Sequence, residues 1–422
     1  MRKLLLGNEK NIERDCFFWN TLAGLINAAE AVVMSMVLTR TIGLEAAGIV
    51  AIAFAVGNLM MTVGKFNVRN YQVTDTEEKI GFGTYFSFRI LTSAVMVLGS
   101  AIYIGYSYFV GQYSTEKAIA VGCICAIYVL ESVEDVFWGR FQQKGRLDVG
   151  GRIFSFRWGL AILVFSICAV VSKNLTFSMV VMFLTSVLVE IILLCASCRI
   201  MEIKIEASDT VKMKFLFGQT ISLFLAAFLS YYISNSPKYA IDRYLTDSVQ
   251  ACYGFVSMPV FVIELLNNFL YQPILVHIAT EWNEGKLELF KRRIWRQMGI
   301  IFLLTIVCIV GAFFLGIPVL SMLYSTDLTL YKAELLILLL GGGMLAFVGF
   351  FMVLLTIMRK QKLLPIGYLI AAVLALFCSG YAVQTYGSKG AAVMYTILMS
   401  ILALIFGFLV MIQYRKKEKE RV

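Results

Sequence analysis

The sequence is poor in charge and nearly without histidine. Charged residues make up 15% of its 422 positions against 59% hydrophobic, and His277 is the single histidine. Soluble domains run nearer a quarter charged and half apolar, so an ordinary water-soluble fold is excluded. One histidine leaves little for a metal centre. Nine cysteines are present, but Cys123, Cys125, Cys168, Cys308 and Cys378 fall within apolar runs, and Cys195 and Cys198 form a lone CxxC. They read as packed small hydrophobes rather than a metal or redox set. There is no phosphate-cradling Gly-rich loop of the Walker kind. Gly341, Gly342 and Gly343 lie inside an apolar run, where small residues let helices pack closely. No connector is long enough to carry an extracellular catalytic domain, so no enzyme is expected. The basic, polar start lacks a small-residue cleavage site, and the first apolar run is expected to stay as a membrane span.

What the sequence does have is a series of apolar runs, each long enough for a helix to cross about 30 Å of hydrocarbon. Twelve are read: Phe17–Leu38, Leu44–Val63, Phe82–Tyr106, Ala118–Phe137, Ile153–Val171, Phe177–Cys198, Phe215–Ile233, Cys252–Tyr271, Met298–Ile317, Leu335–Ile357, Leu363–Val383 and Ala391–Ile412. Their length and lack of period-two alternation argue for helices, not barrel strands. The expected class is therefore an all-α polytopic membrane protein. Lysine and arginine crowd alternate connectors, including 140–152, 286–296 and 415–421, which places those connectors and both termini in the cytoplasm. The basic excess is thus a topology signal, with attraction to membrane lipids, and nucleic acid is not an expected partner. The charged connector 199–214 divides the runs into two blocks of six, giving expected lobes 1–206 and 207–422. Connectors 199–214 and 277–297 are expected to form short surface helices.

Two polar corners look alike. Leu38–Gly48 and Asn235–Asp247 each join two apolar runs, and each carries an arginine, Arg40 or Arg243, at the end of the first. That likeness suggests a parallel repeat of the kind transporters use. By the lysine and arginine count Lys238 and Arg243 are external, and a release-side contact with anionic cargo or pairing with Asp242 and Asp247 would explain them.

Polar residues inside spans are costly and mark cavities or partner helices. Asn20, Asn27 and Glu30 share one helical face by spacing, and Glu264, Asn267 and Asn268 repeat the arrangement. These groups suit sugar hydroxyls, a coupling cation or interhelical hydrogen bonds. Glu190 is similar but alone. Lys65, Arg69, Arg89 and Arg157 sit near the cytoplasmic ends of spans. Arginine forks match phosphate, while long cationic chains near an edge also snorkel to water. Glu131, Glu134 and Asp135 cluster at i, i+3 and i+4, and Arg140, Lys144 and Arg146 follow closely, which reads as a charge network at the membrane edge.

The stretches Leu38–Gly48, Val68–Asp75, Trp138–Asp148 and Asn235–Leu245, taken in order over nearly the whole chain, resemble those of one family. The chain is similar to Wzx-type lipid-linked oligosaccharide flippases of the multidrug/oligosaccharidyl-lipid/polysaccharide (MOP) exporter superfamily. The resemblance implies two six-helix lobes around a central cation-lined cavity that opens alternately to either side. It implies an undecaprenyl-diphosphate-linked oligosaccharide cargo, a bacterial cytoplasmic membrane, and other polysaccharide assembly proteins as partners. Its cavity cations would map to Arg40, Lys65, Arg69, Arg89, Arg157, Lys238 and Arg243. Asn27, Glu30, Glu190, Asp242, Glu264 and Asn267 are the polar or coupling candidates. No cofactor is implied; a proton or sodium gradient or the membrane potential would drive the cycle. The alternatives are a cation-coupled multidrug antiporter of the same superfamily and a membrane-embedded glycan polymerase. The antiporter would show more carboxylates relative to arginines.

Overall fold

Hydrocarbon offers no partners to backbone N–H and C=O groups, so a spanning chain must satisfy them within itself. The computed structural model meets that demand with helices. It describes all residues except 1–4, 8–10, 76, 272–273 and 420–422, and the side chains of 264, 265 and 268–271. Among the described residues the regular structure is helical throughout. In chain order the helices are α1 (Ile12–Thr41), α2 (Leu44–Lys65), the short α3 (Val68–Thr74), α4 (Phe82–Phe109), α5 (Thr115–Gln143), α6 (Leu147–Ser172) and α7 (Leu175–Ile200). They continue as α8 (Thr210–Tyr244), α9 (Asp247–Tyr271), α10 (Leu275–Asn283), α11 (Leu287–Gly311), α12 (Ile317–Tyr324), α13 (Lys332–Ile357) and α14 (Leu364–Lys419).

Nine helical stretches among the described residues are long and apolar enough to cross a bilayer. The last of them, Gln361–Lys419, is two crossings joined at Gly387, where φ is 61° and ψ −143°, a conformation open essentially to glycine alone. Gly390 lies against Ala382, and Gly367 against Phe406, so the two halves of α14 pack back on each other. The more polar α5 and the Pro259-containing α9 complete the twelve crossings expected. A π turn at Ala312–Gly316 joins α11 to α12 just before Pro318. Proline offers no N–H and its ring crowds the preceding turn, and the wider turn accommodates it.

Two compact units divide the chain, Met1–Phe228 and Leu229–Val422. In unit 1, α5 packs against α2, α4, α6 and α7. Gly57 and Gly64 on α2 let α5 approach: a Cβ on Gly64 would stand 2.4 Å from the Ser132 hydroxyl. The first half of α8 belongs here, with Phe217 and Phe224 stacked on Phe66 at 5.6 and 4.2 Å. In unit 2, α13 is the centre, and its glycine triplet faces three different neighbours. Gly341 meets Tyr395 of α14, Gly342 meets Val260 of α9, and Gly343 meets Thr305 of α11. Successive helical residues turn by about 100°, so three in a row open close approach on three sides. The outward faces are apolar instead of polar, with Leu98 and Ile102 on α4, Leu188 and Ile191 on α7, and Leu303 and Val307 on α11 all exposed.

Both sequence corners are tighter than their polarity suggests. Helix α1 runs on to Thr41 and α8 to Tyr244, so the connectors are only Ile42–Gly43 and Leu245–Thr246. Lys238 and Arg243 therefore sit in the last turns of a helix, not in a loop, with Pro237 inside that helix. The two corners do correspond. Each has an arginine two residues before the connector and an acid, Glu45 or Asp247, in the first turn of the next helix. Of the two expected surface helices, 277–297 is helical as the end of α10 and the start of α11, whereas 203–209 is not.

Gly343→Val tests the packing. Thr305 is β-branched and stiff in a helix, so it cannot yield to the new side chain. Overpacking of this kind costs about 1–3 kcal/mol, and the melting temperature of the purified protein should fall. Gly349→Ala, which meets nothing within 4 Å, should leave it unchanged.

Candidate functional site

Glu131, Glu134 and Asp135 fall on one side of α5, and four of the helices packed on α5, namely α2, α3, α4 and α6, each bring a cation. The junction between α2 and α3 passes through two left-handed residues, Phe66 (φ 45°) and Asn67 (φ 54°). Non-glycine residues adopt this conformation at a cost. Here it turns the chain sharply, so that Lys65 and Arg69 both reach α5. Lys65 donates to Glu131 at 2.8 Å. Arg69 approaches Asp135 at 3.5 Å, donates to Gln142 at 3.1 Å and lies 4.7 Å over the Trp138 ring.

Arg89 of α4 and Arg157 of α6 are fully buried. Arg89 donates to Asp135 at 2.7 Å and to the Gly64 carbonyl at 2.6 Å. The absence of a side chain at Gly64 keeps that carbonyl reachable. Arg157 is the hub. It lies 3.0 Å from Glu134, 3.6 Å from Glu131 and 3.2 Å from Glu190 of α7, with the Phe154 and Trp158 rings 5.5 and 5.4 Å from its guanidinium. Trp158 donates to Glu131 at 3.2 Å. On the α1 side, Tyr128 donates to Glu30 at 2.9 Å, and Asn58 donates to the Tyr128 hydroxyl at 3.3 Å.

Four buried carboxylates, Glu30, Glu131, Glu134 and Glu190, thus share two cations, Lys65 and Arg157. Glu30 and Glu134 each keep one buried carboxylate oxygen without a hydrogen-bond partner, and Glu190 keeps two. Taking ions out of water is costly, and a carboxylate in excess of its cations must hold a proton or a small cation.

Several sequence candidates come together here: Lys65, Arg69, Arg89, Arg157, Glu30 and Glu190. The four cations do not snorkel; each is met by a carboxylate on another helix. The three acids of α5 do not pair with the nearby Arg140, Lys144 and Arg146. Arg140 pairs with Glu78 at 2.6 Å, Arg146 with Asp148 at 2.9 Å, and Lys144 donates to the Met201 carbonyl at 2.8 Å. Glu30 is buried, whereas Asn27 on the same helix is exposed. Arg40 and Arg243 are exposed near the ends of their helices, Arg243 beside the Tyr244 ring at 5.4 Å. In unit 2, Asp242 is buried and Asn267 donates to the Ala346 carbonyl at 3.3 Å. Lys238 is half-buried. The side chains of Glu264 and Asn268 lie outside the described residues. Sequence reasoning missed Tyr128 and Trp158 as partners of the acids; their spacing, i+3 from Tyr128 to Glu131 and one residue past Arg157 for Trp158, was the available signal.

No protein-family model matches the chain, and no curated protein matches it. Solved structures do. A multidrug-resistance MATE family transporter of the MOP superfamily, in an inward-facing conformation, superimposes with a TM-score of 0.65 at 11% identity, over 93% of this chain and 96% of that one. The eukaryotic MATE transporter AtDTX14 gives 0.61 at 15% identity, over 98% and 100%. A MOP-superfamily transporter from Pyrococcus furiosus, described by the reverse polarity of its binding pocket, gives 0.58 at 12% identity, over 99% and 98%. The chain shares the fold of these transporters over 93% or more of its length.

Removing the hub tests the network's stability role. Arg157→Met leaves buried carboxylates unpaired and should destabilise the purified protein by about 3–5 kcal/mol. Adding Glu134→Met should recover part of that loss. A thermal-unfolding double-mutant cycle then gives a coupling well away from zero.

Proposed function

We propose that this chain is a membrane exporter working by alternating access, and that it moves a small organic solute outward in exchange for a proton. The observation that carries this reading is the balance of charge in the cluster around α5 in unit 1. Five acids, Glu30, Glu131, Glu134, Asp135 and Glu190, face four cations, Lys65, Arg69, Arg89 and Arg157. Each cation is met by a carboxylate of the same unit, which favours a coupling device over a phosphate cradle. Glu30, capped on one oxygen by Tyr128 and open on the other, is the group from which a proton is exchanged. The likeness to MATE family transporters supports the same reading.

In this mechanism Glu30 is protonated from outside while the cargo site faces outward. The proton is released to the cytoplasm when that site faces inward. Lys65 and Arg157 are engaged with Glu131, Glu134 and Glu190, whereas Glu30 forms no ion pair with a described residue, so the exchanged proton is assigned to Glu30.

A second reading is a flippase for lipid-linked oligosaccharide in a bacterial cytoplasmic membrane. It is favoured by the ordered stretches Leu38–Gly48, Val68–Asp75, Trp138–Asp148 and Asn235–Leu245. In that case the buried Arg89 and Arg157, each already held by a carboxylate, are not the groups that meet a diphosphate.

Everted membrane vesicles separate the two. With the lumen acidified by respiration, adding a lipophilic organic cation should release protons and restore acridine-orange fluorescence. Glu30→Gln should abolish that release at unchanged protein level, and sodium should not substitute for the proton gradient. If no member of a cationic drug panel releases protons, and a deletion strain instead accumulates lipid-linked oligosaccharide, the flippase reading takes over.

A further inference from the structure

We propose that the end of unit 2 where α10, the start of α11 and the end of α14 meet is a binding site for anionic phospholipid headgroups. An aromatic stack builds it. Trp282 packs on Phe290 at 5.0 Å, and Phe290 lies nearly parallel to Tyr414 with ring centres 6.4 Å apart. Lys417 sits 4.1 Å over the Trp282 ring and donates to the Trp282 carbonyl. This stack fixes two basic runs side by side although more than a hundred residues separate them in sequence.

Lys291, Arg292 and Arg296 from α11, and Arg415, Lys416 and Lys419 from α14, are all exposed there. None of their side chains makes a hydrogen bond or ion pair with a described residue. Their neighbours differ: Arg293 is held by Glu281 at 2.9 and 3.0 Å, and Lys286 by Glu284 at 2.6 Å. The remaining acids in the patch, Glu288 and Glu418, are too few to neutralise six cations. In unit 1 several basic residues are engaged instead, Arg140 with Glu78, Arg146 with Asp148 and Arg152 with Asp15.

Charge alone would suit any polyanion, but apolar side chains share the patch. Trp295 is 65% exposed beside Arg296, and Leu289 is exposed beside Phe290. Exposed tryptophan next to lysine and arginine belongs at headgroup level, where the ring meets the acyl boundary and the cations meet phosphate. Clusters of four to eight such cations beside a membrane helix are drawn to an anionic leaflet. A free phosphate ion would leave Trp295 and Leu289 uncovered.

The test uses the full-length protein in phosphatidylcholine nanodiscs doped, at equal mole fraction, with brominated phosphatidylglycerol or brominated phosphatidylcholine. The Trp295 signal is the difference between the wild type and Trp295→Phe. Brominated phosphatidylglycerol should quench it several-fold more strongly, and the preference should collapse at high salt. Combined Lys291→Gln, Arg292→Gln, Arg296→Gln, Arg415→Gln and Lys416→Gln should remove it, while Lys204→Gln with Lys214→Gln in unit 1 should not. Inorganic phosphate at the lipid's concentration should leave it intact. Equal quenching by the two lipids overturns the proposal and leaves the patch to an acidic protein. A preference that survives the five neutralisations, or that phosphate abolishes, overturns it too. The wild-type comparison needs no altered cation, so it decides the matter even if the multiple variant does not fold.

Discussion

A guanidinium buried in an apolar helical unit survives only where carboxylates come to it, and Arg157 sets that condition for unit 1. Glu131 and Glu134 of α5 and Glu190 of α7 converge on it, and Lys65 of α2 steadies Glu131 from the far side. Hydrophobic attraction between helices is weak among lipid tails, so packing and polar contacts must fix their register. The glycines on α2 and the ion pairs on α5 serve one end. The first bring the backbones close, and the second allow one relative rotation at that distance.

The count and length of the crossings could be read from the sequence because they are set by bilayer thickness, and so could the role of Gly341, Gly342 and Gly343. The break at Gly387 coincides with the polar gap between the last two apolar runs. Pairing was not legible. Glu131, Glu134 and Asp135 have Arg140, Lys144 and Arg146 within a few turns, yet their partners are Lys65, Arg69, Arg89 and Arg157. On α5, Arg140 lies beyond the end of the acidic cluster, where it meets Glu78 instead. Local proximity in sequence misleads whenever a packed neighbour supplies a better-placed cation.

Asn235–Tyr244 misled in a different way. Its polarity looks like a loop, but a helix can carry Asn235, Ser236, Lys238 and Asp242 when packing shelters them, and Ser236 meets Ser379 at 3.3 Å across the unit. Polarity marks where a chain avoids lipid, and a neighbouring helix serves as well as water.

The proline placement has a mechanical consequence. All five prolines fall after residue 236, at 237, 259, 273, 318 and 365, so unit 1 has none. Pro237 and Pro259 lie inside α8 and α9, and Pro318 follows the π turn. Missing backbone hydrogen bonds make such points compliant, while the helices of unit 1 keep theirs and are cross-braced by ion pairs. Connectors of two residues at Ile42–Gly43 and Leu245–Thr246 add little slack. The breaks in the backbone ladder are thus gathered in one unit, and the buried ion-pair network in the other.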